Sequence, residues 1–263
     1  QPSVEVWLTS KDGSRRLAQQ PAVKFVAGSG NSALPTITVD DSVRYQQIEG
    51  FGGSFTDSGA WMLSSISPDS QAGILRALVD RNAGIGLGFL RQPIGSSDFA
   101  RTAYTFNDIS PTSTDYTQAN FSIEHDRAYI LPALRAARAV NPTIRVLASP
   151  WTAPAWMKTS RTLSDGGNLK PDAFAAYAKY LVKFIQAYQA EGVPIDSLTV
   201  QNEPLTAPPY PSMVMSSADQ ATFIGQHLGP ALAAAGLNPR VFAWDHNWET
   251  TYPFAVLSNP SAA

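Results

Sequence analysis

With 263 residues, 44% of them hydrophobic and 15% charged, the chain can build one large domain or two modest ones around a substantial core. A formal net charge of −2 speaks against nucleic acid or an anionic membrane as a partner. Cysteine is absent, which excludes disulfides and thiolate metal sites, and no run of about 18 apolar residues is present to span a bilayer.

The chain starts at Gln1 and not at Met, so the expectation is a secreted protein whose signal peptide has been removed. Residues 1 to about 40 read as β, with alternating runs at 4–8 and 36–39 and turns at Asp12-Gly13 and Gly28-Ser29-Gly30. A first domain is therefore expected over residues 1–44, as part of a sheet that needs strands from elsewhere. From residue 45 to 263 the rhythm becomes strand, loop, helix.

Gln47-Ile48-Glu49-Gly50-Phe51-Gly52 reads as a first strand running into a glycine turn. Helices follow at about 57–65 and 68–82, the second with Ser67 as N-cap and Pro68 at its first position. The stretch from Gly86 to Arg91 leads into a second strand, and a loop over 95–124 is rich in Ser, Thr, Asp and aromatics. A helix at about 126–140 and a third strand at 144–149 come next. The clearest helix is 171–190: Pro171 opens it, Gly192 closes it, and Phe174, Tyr177, Ala178, Leu181, Ile185 and Tyr188 share one face. Leu198, Thr199 and Val200 read as a fourth strand that ends on Asn202 and Glu203, with Pro204 as its stop because it has no N–H to donate. A helix near 218–235, interrupted by Gly229-Pro230, and a fifth strand at 240–245 complete the pattern. Five strands, each followed by helical pattern, predict a parallel sheet with right-handed crossovers. A barrel of eight units at about 30 residues each would still lack three, whereas an open doubly wound sheet could be complete with five. Arithmetic leaves both open.

Polar and aromatic side chains collect where these strands end. Asp57 follows the first, Arg91 ends the second, Trp151 follows the third, Asn202 and Glu203 end the fourth, and Asp245, His246 and Asn247 end the fifth. Acids and amides bond sugar hydroxyls, and indoles stack on the C–H face of the ring. Glycoside cleavage needs a carboxylic acid near the leaving oxygen and a second carboxylate across the ring. Glu203 fits the first, and no convincing second follows it. Plainer roles are also open: Asp57 as the N-cap of the next helix, Trp151 and Trp156 as core aromatics, Asp245 as the structural partner of an Arg. Gly84-Ile85-Gly86-Leu87-Gly88 opens no helix, so it is no dinucleotide fingerprint, and His125, His227 and His246 lack metal-ligand spacing. No Gly-x-Ser-x-Gly elbow occurs, and no cofactor is expected.

Four stretches carry a resemblance: Gly50-Phe51-Gly52-Gly53-Ser54-Phe55-Thr56-Asp57, Arg91-Gln92-Pro93-Ile94-Gly95-Ser96-Ser97-Asp98-Phe99, Leu147-Ala148-Ser149-Pro150-Trp151-Thr152-Ala153-Pro154-Ala155-Trp156-Met157-Lys158 and Val200-Gln201-Asn202-Glu203-Pro204. In order and register from about Gln47 to Pro260 they resemble glycoside hydrolase family 30, the group of glucosylceramidases and microbial β-1,6-glucanases. The resemblance implies a (β/α)8 TIM barrel, with five of its eight units at 45–263, and a side β-sandwich to which residues 1–44 contribute. It implies a retaining mechanism, with the acid/base after the fourth strand and the nucleophile after the seventh. Carried over by position, Glu203 is the acid/base, Asn202 the group on the sugar 2-hydroxyl, Asp57 and Trp151 ligands of the sugar in the cleaved subsite, and Asp245 a further substrate contact. Three units at about 30 residues each put the nucleophile about 90 residues past Glu203, beyond Ala263, and Glu249 comes too early for the role. The expected protein is a retaining glycosidase acting on β-1,6-glucan or glucosylceramide-like β-glucosides, with its own C-terminal fragment as the partner that completes the barrel. The alternative is a non-catalytic carbohydrate-binding remnant of such a barrel. A lyase or isomerase on the same barrel would need a metal or cofactor site that the sequence does not reveal.

Overall fold

A computed structural model describes residues 2–28, 33, 35 and 37–263. Contacts divide the chain into two units, Gln1–Gln47 and Ile48–Ala263.

In the first unit, β1 (Ser3–Leu8) pairs antiparallel with β2 (Ala18–Lys24). The register slips between Val4 and Val6, where Pro21 and Ala22 together face Glu5. Pro21 is tolerated there because a bulge in a two-stranded sheet leaves no ladder partner waiting for its missing N–H. The strand expected at 36–39 does not form at 37–39, and Thr36 lies outside the described residues, as do Ser29 and Gly30 of the expected turn.

The second unit holds five parallel strands: β3 (Gly52–Ser54), β4 (Phe89–Ile94), β5 (Arg145–Pro150), β6 (Ser197–Thr199) and β7 (Arg240–Phe242). They lie side by side in chain order. A doubly wound sheet reverses its strand order partway, so an unreversed order of parallel strands is that of a β/α barrel. The strand expected at 47–52 is displaced to Gly52–Ser54. Gly52 explains the pairing, since a Cβ there would lie 1.3 Å from the carbonyl oxygen of Phe89 and only glycine lets the two backbones meet.

Helices cover this sheet. Thr56, not Asp57, caps α1 (Asp57–Ser64), accepting the Gly59 N–H at 3.2 Å. Ser67 caps α2 (Pro68–Val79), which stops short of 82 because the Asp80 carboxylate takes the N–H groups of Asn82 and Ala83. The helix expected at 126–140 is two, α3 (Glu124–Arg127) and α4 (Ile130–Val140), separated where Tyr129 leaves the helical conformation. α5 (Phe174–Ala190) follows a 3₁₀ turn at 171–173 and ends at Gly192, whose φ of 81° gives the left-handed exit. Its Tyr177, Leu181, Phe184 and Tyr188 are fully buried in one core with Val146, Ala148, Leu198 and Val200 of the β5 and β6 segments. α6 (Ser217–Phe223) and α7 (Gly229–Ala234) are joined by a widened π turn at 224–228, which places the break expected at Gly229-Pro230 just ahead of the proline that cannot donate. α8 (Thr251–Leu257) follows β7. No helix among the described residues is long and apolar enough to cross a membrane.

Candidate active site

Parallel strands bring all their C-terminal ends to one side, and there a cleft of about 660 Å³ opens. Its lining includes Thr56, Asp98, Phe99, Trp151, Asn202, Glu203, Asp245 and His246. Four of the five residues singled out from sequence are therefore together.

Arg91 organises them from the middle of β4. One of its terminal nitrogens donates to Ser149 Oγ at 3.0 Å, to Asn202 Oδ1 at 2.8 Å and to Asp245 Oδ2 at 2.5 Å. Its guanidinium lies 4.5 Å from the ring centre of Trp151. Ser149 Oγ donates to the same Asp245 oxygen at 2.8 Å and accepts from Thr199 Oγ1 at 2.6 Å. The open structural reading of Asp245, as the partner of an Arg, is thus realised at the cleft floor. Trp151 is only 7% exposed, so it offers the cleft a small patch of its indole, and Trp156 is a core aromatic against Tyr116.

The ladder of β6 ends at Thr199, five residues before Pro204, but the following backbone stays tied to its neighbours. Asn202 donates its N–H to Pro150 O at 2.8 Å, and Glu203 donates to Asp245 O at 3.0 Å. Glu203 has φ of 44°, in the left-handed region that disfavours a Cβ. Its side chain is 36% exposed, with Oε1 3.6 Å from His246 Nε2 and Oε2 3.4 Å from Thr206 Oγ1. The loops after β5 and β6 are clasped to one another: Lys158 Nζ donates to Leu163 O at 3.2 Å and to Ser212 O at 2.6 Å.

Asp57 is elsewhere. Its side chain is 2% exposed and does not line the cleft. Oδ2 accepts the Arg101 N–H at 2.7 Å, Oδ1 accepts the Tyr129 hydroxyl at 2.5 Å, and His125 Nε2 lies 2.7 Å from Oδ1. Burial resists ionisation of this carboxyl, and the bonds from Tyr129, Arg101 and His125 overcome it, holding it below the usual range. Burial, then Asp57, pushes Tyr129 up to about 12. In this structure Asp57 ties down the loop after β4 through Arg101, and it is the one of the five expected site residues that the cleft lining does not include. That loop carries the acid the sequence reading left out. Asp98 is exposed on the cleft wall beside Phe99. The signal was available, since Asp98 also follows a strand's C-terminal end, but it lay within a long loop with several acids. Glu249 is accounted for as well: its two carboxylate oxygens accept the N–H groups of Thr251 and Tyr252 at the start of α8.

A β/α barrel whose strand ends gather carboxylates, an amide and an indole is of the class built to handle sugars. The family model described as Glycosyl hydrolase family 30 TIM-barrel domain matches residues 48–263, and the chain belongs to that family. It is 34% identical over 263 residues to an endo-1,6-beta-D-glucanase of Neurospora crassa, covering 97% of this chain and 54% of that protein. It is 34% identical over 239 residues to the lysosomal acid glucosylceramidase of Mus musculus, covering 86% of this chain and 46% of that one. Among solved structures, the endo-beta1,6-glucanase BT3312 superposes with a TM-score of 0.84 at 33% identity, over 98% of this chain and 57% of that chain. The chain spans about half the length of the curated relatives it matches.

Proposed function

We propose that this chain carries the acid/base half of a retaining β-glycosidase acting on β-1,6-glucan or glucosylceramide-like β-glucosides. The observation that carries the reading is Glu203: a half-exposed carboxylate in the cleft, at a strand's C-terminal end, beside Asn202. Glu203 gives its proton to the glycosidic oxygen as the C1–O bond breaks, then takes one from the water that attacks the glycosyl–enzyme. Asn202, its Oδ1 held by Arg91, turns its amide N–H₂ toward the sugar 2-hydroxyl. Asp57 remains a proposed ligand of the sugar in the cleaved subsite, and Trp151 and Asp245 frame that subsite with Asp98 on the cleft wall.

The second carboxylate of a retaining site stands about 5–5.5 Å from the first. We assign it to further β/α units that close the barrel. Two observations support this: the outer edges of β3 and β7 have no neighbouring strand among the described residues, and Val241 and Phe242 of β7 are exposed. A polymeric glucan is met outside the cell, so the reading includes export, and recovery of the native protein from the medium would check that.

Glu203→Gln in the full-length enzyme tests the acid/base assignment. It should lower kcat on β-1,6-glucan roughly 100- to 10,000-fold, while an aryl β-glucoside whose leaving group needs no proton still loads the enzyme. Unchanged turnover of the glucan would refute the assignment.

A further inference from the structure

The cleft does not end at Glu203. A second cavity of about 640 Å³ adjoins it, and His246 and Asn247 line both. Its other walls include Leu205 and Thr206, which follow Glu203 and Pro204, with Ser217, Trp244 and Tyr252. The two oxygens of Glu203 face this wall: Oε1 lies 3.6 Å from His246 Nε2 and Oε2 3.4 Å from Thr206 Oγ1. Glu203 thus lines one cavity while its carboxylate faces residues of the other. A general acid protonates the oxygen that joins the two halves of its substrate, so it must stand between them.

Trp244 is the fixed surface of this second cavity. Its ring lies 4.6 Å from that of Tyr252 and 5.4 Å from that of His246, and its Nε1 donates to Asn247 O at 2.7 Å. An indole held on three sides suits the C–H face of a sugar, and the hydroxyls of Thr206 and Ser217 suit its oxygens. An alkyl chain laid along the same wall would leave the Ser217 hydroxyl without a partner, whereas Thr206 already donates to Glu203 O at 3.0 Å. We propose that the second cavity binds the leaving part of the substrate as a glucosyl unit stacked on Trp244. This rests on Glu203 being the acid.

The test is a set of ligand-observed NMR titrations in the Glu203→Gln background, which slows turnover of the unactivated probes. The probes are methyl β-glucoside, the β-1,6-linked disaccharide gentiobiose, and octyl β-glucoside. Gentiobiose should bind about tenfold more tightly than methyl β-glucoside. Trp244→Ala should remove that advantage and leave methyl β-glucoside binding unchanged, and Trp244→Phe should restore most of it. Ser217→Tyr, which fills the cavity from the first position of α6 and leaves Trp244 in the sequence, should act like Trp244→Ala. The proposal is overturned if either cavity variant weakens both glucosides equally, if gentiobiose shows no advantage, or if octyl β-glucoside alone gains from the cavity. Binding of none of the three would instead refute the glycosidase reading itself.

Discussion

Lys158→Met turns the clasp between the loops after β5 and β6 into a measurement. Lys158 is fully buried, and its ammonium finds two backbone carbonyls, with Asp165 as the charge that favours it. Burial dominates, and the amine is pushed down from its ordinary 10.5 to about 7. The folded protein therefore holds fewer protons than the unfolded chain between about pH 7 and pH 10.5, and stability must rise with pH across that window. Below pH 7 both states are protonated and the whole cost of burying the charge is present, roughly 5 kcal/mol at about 1.4 kcal/mol per pH unit. From pH 7 to pH 9 the recovered part is roughly 2 kcal/mol, because the folded amine is already half deprotonated at the start. Methionine fills similar volume and does not titrate, but it removes the donor to Ser212 O, while Leu163 O keeps the Ser212 N–H, and that loss does not depend on pH. Urea unfolding of both proteins at pH 7 and pH 9 separates the two effects. The difference in stability between wild type and variant should move by roughly 2 kcal/mol in favour of wild type at the higher pH. A difference that stays constant would refute the claim that Lys158 is held as a costly buried charge.

Asp126 should titrate with the opposite sense. It is fully buried under the hydroxyls of Tyr104 and Tyr188, and burial pushes it up to about 6 despite them. The folded state then keeps its proton longer than the unfolded one, so this group adds stability as pH falls from about 6 toward 4, by roughly 3 kcal/mol in all. Asp126→Asn should abolish that acid-side gain in denaturation curves taken across the window. Arg91→Met should cost about 2–3 kcal/mol, because it leaves the half-buried Asp245 without its charged partner. Arg91→Met combined with Asp245→Asn should recover part of that loss in the same assay, and an additive double variant would contradict the pairing.

Much of this architecture is readable because it depends on local rules. The spacing of Phe174, Tyr177, Leu181 and Tyr188 between Pro171 and Gly192 gives α5 to within a turn. The strands β4 and β5 are continuous enough to be found by composition, and the rule that parallel strands gather their C-terminal ends places Trp151, Asn202, Glu203 and Asp245 together. What was hidden depends on long-range contact. Asp57 turns inward because His125 and Tyr129, far along the chain, reach its carboxylate. β3 begins at Gly52 and not earlier because Phe89 approaches its backbone there. β2 lies within the stretch read as β but has no alternating run of its own to mark its bounds, and the bulge opposite Glu5 accommodates Pro21. Asp98 differs from its neighbouring loop acids only in which wall it faces.

The backbone of Glu203 carries a consequence for descent. A residue with a Cβ at φ of 44° costs the fold about 1 kcal/mol that glycine would not, and asparagine would suffer less. Any copy of this gene released from the chemistry would gain stability by exchanging Glu203 for Gly or Asn, so drift has a direction at this position. On the acid role proposed for Glu203, a working copy holds the residue against that pull, and a silent copy should show its retirement here first.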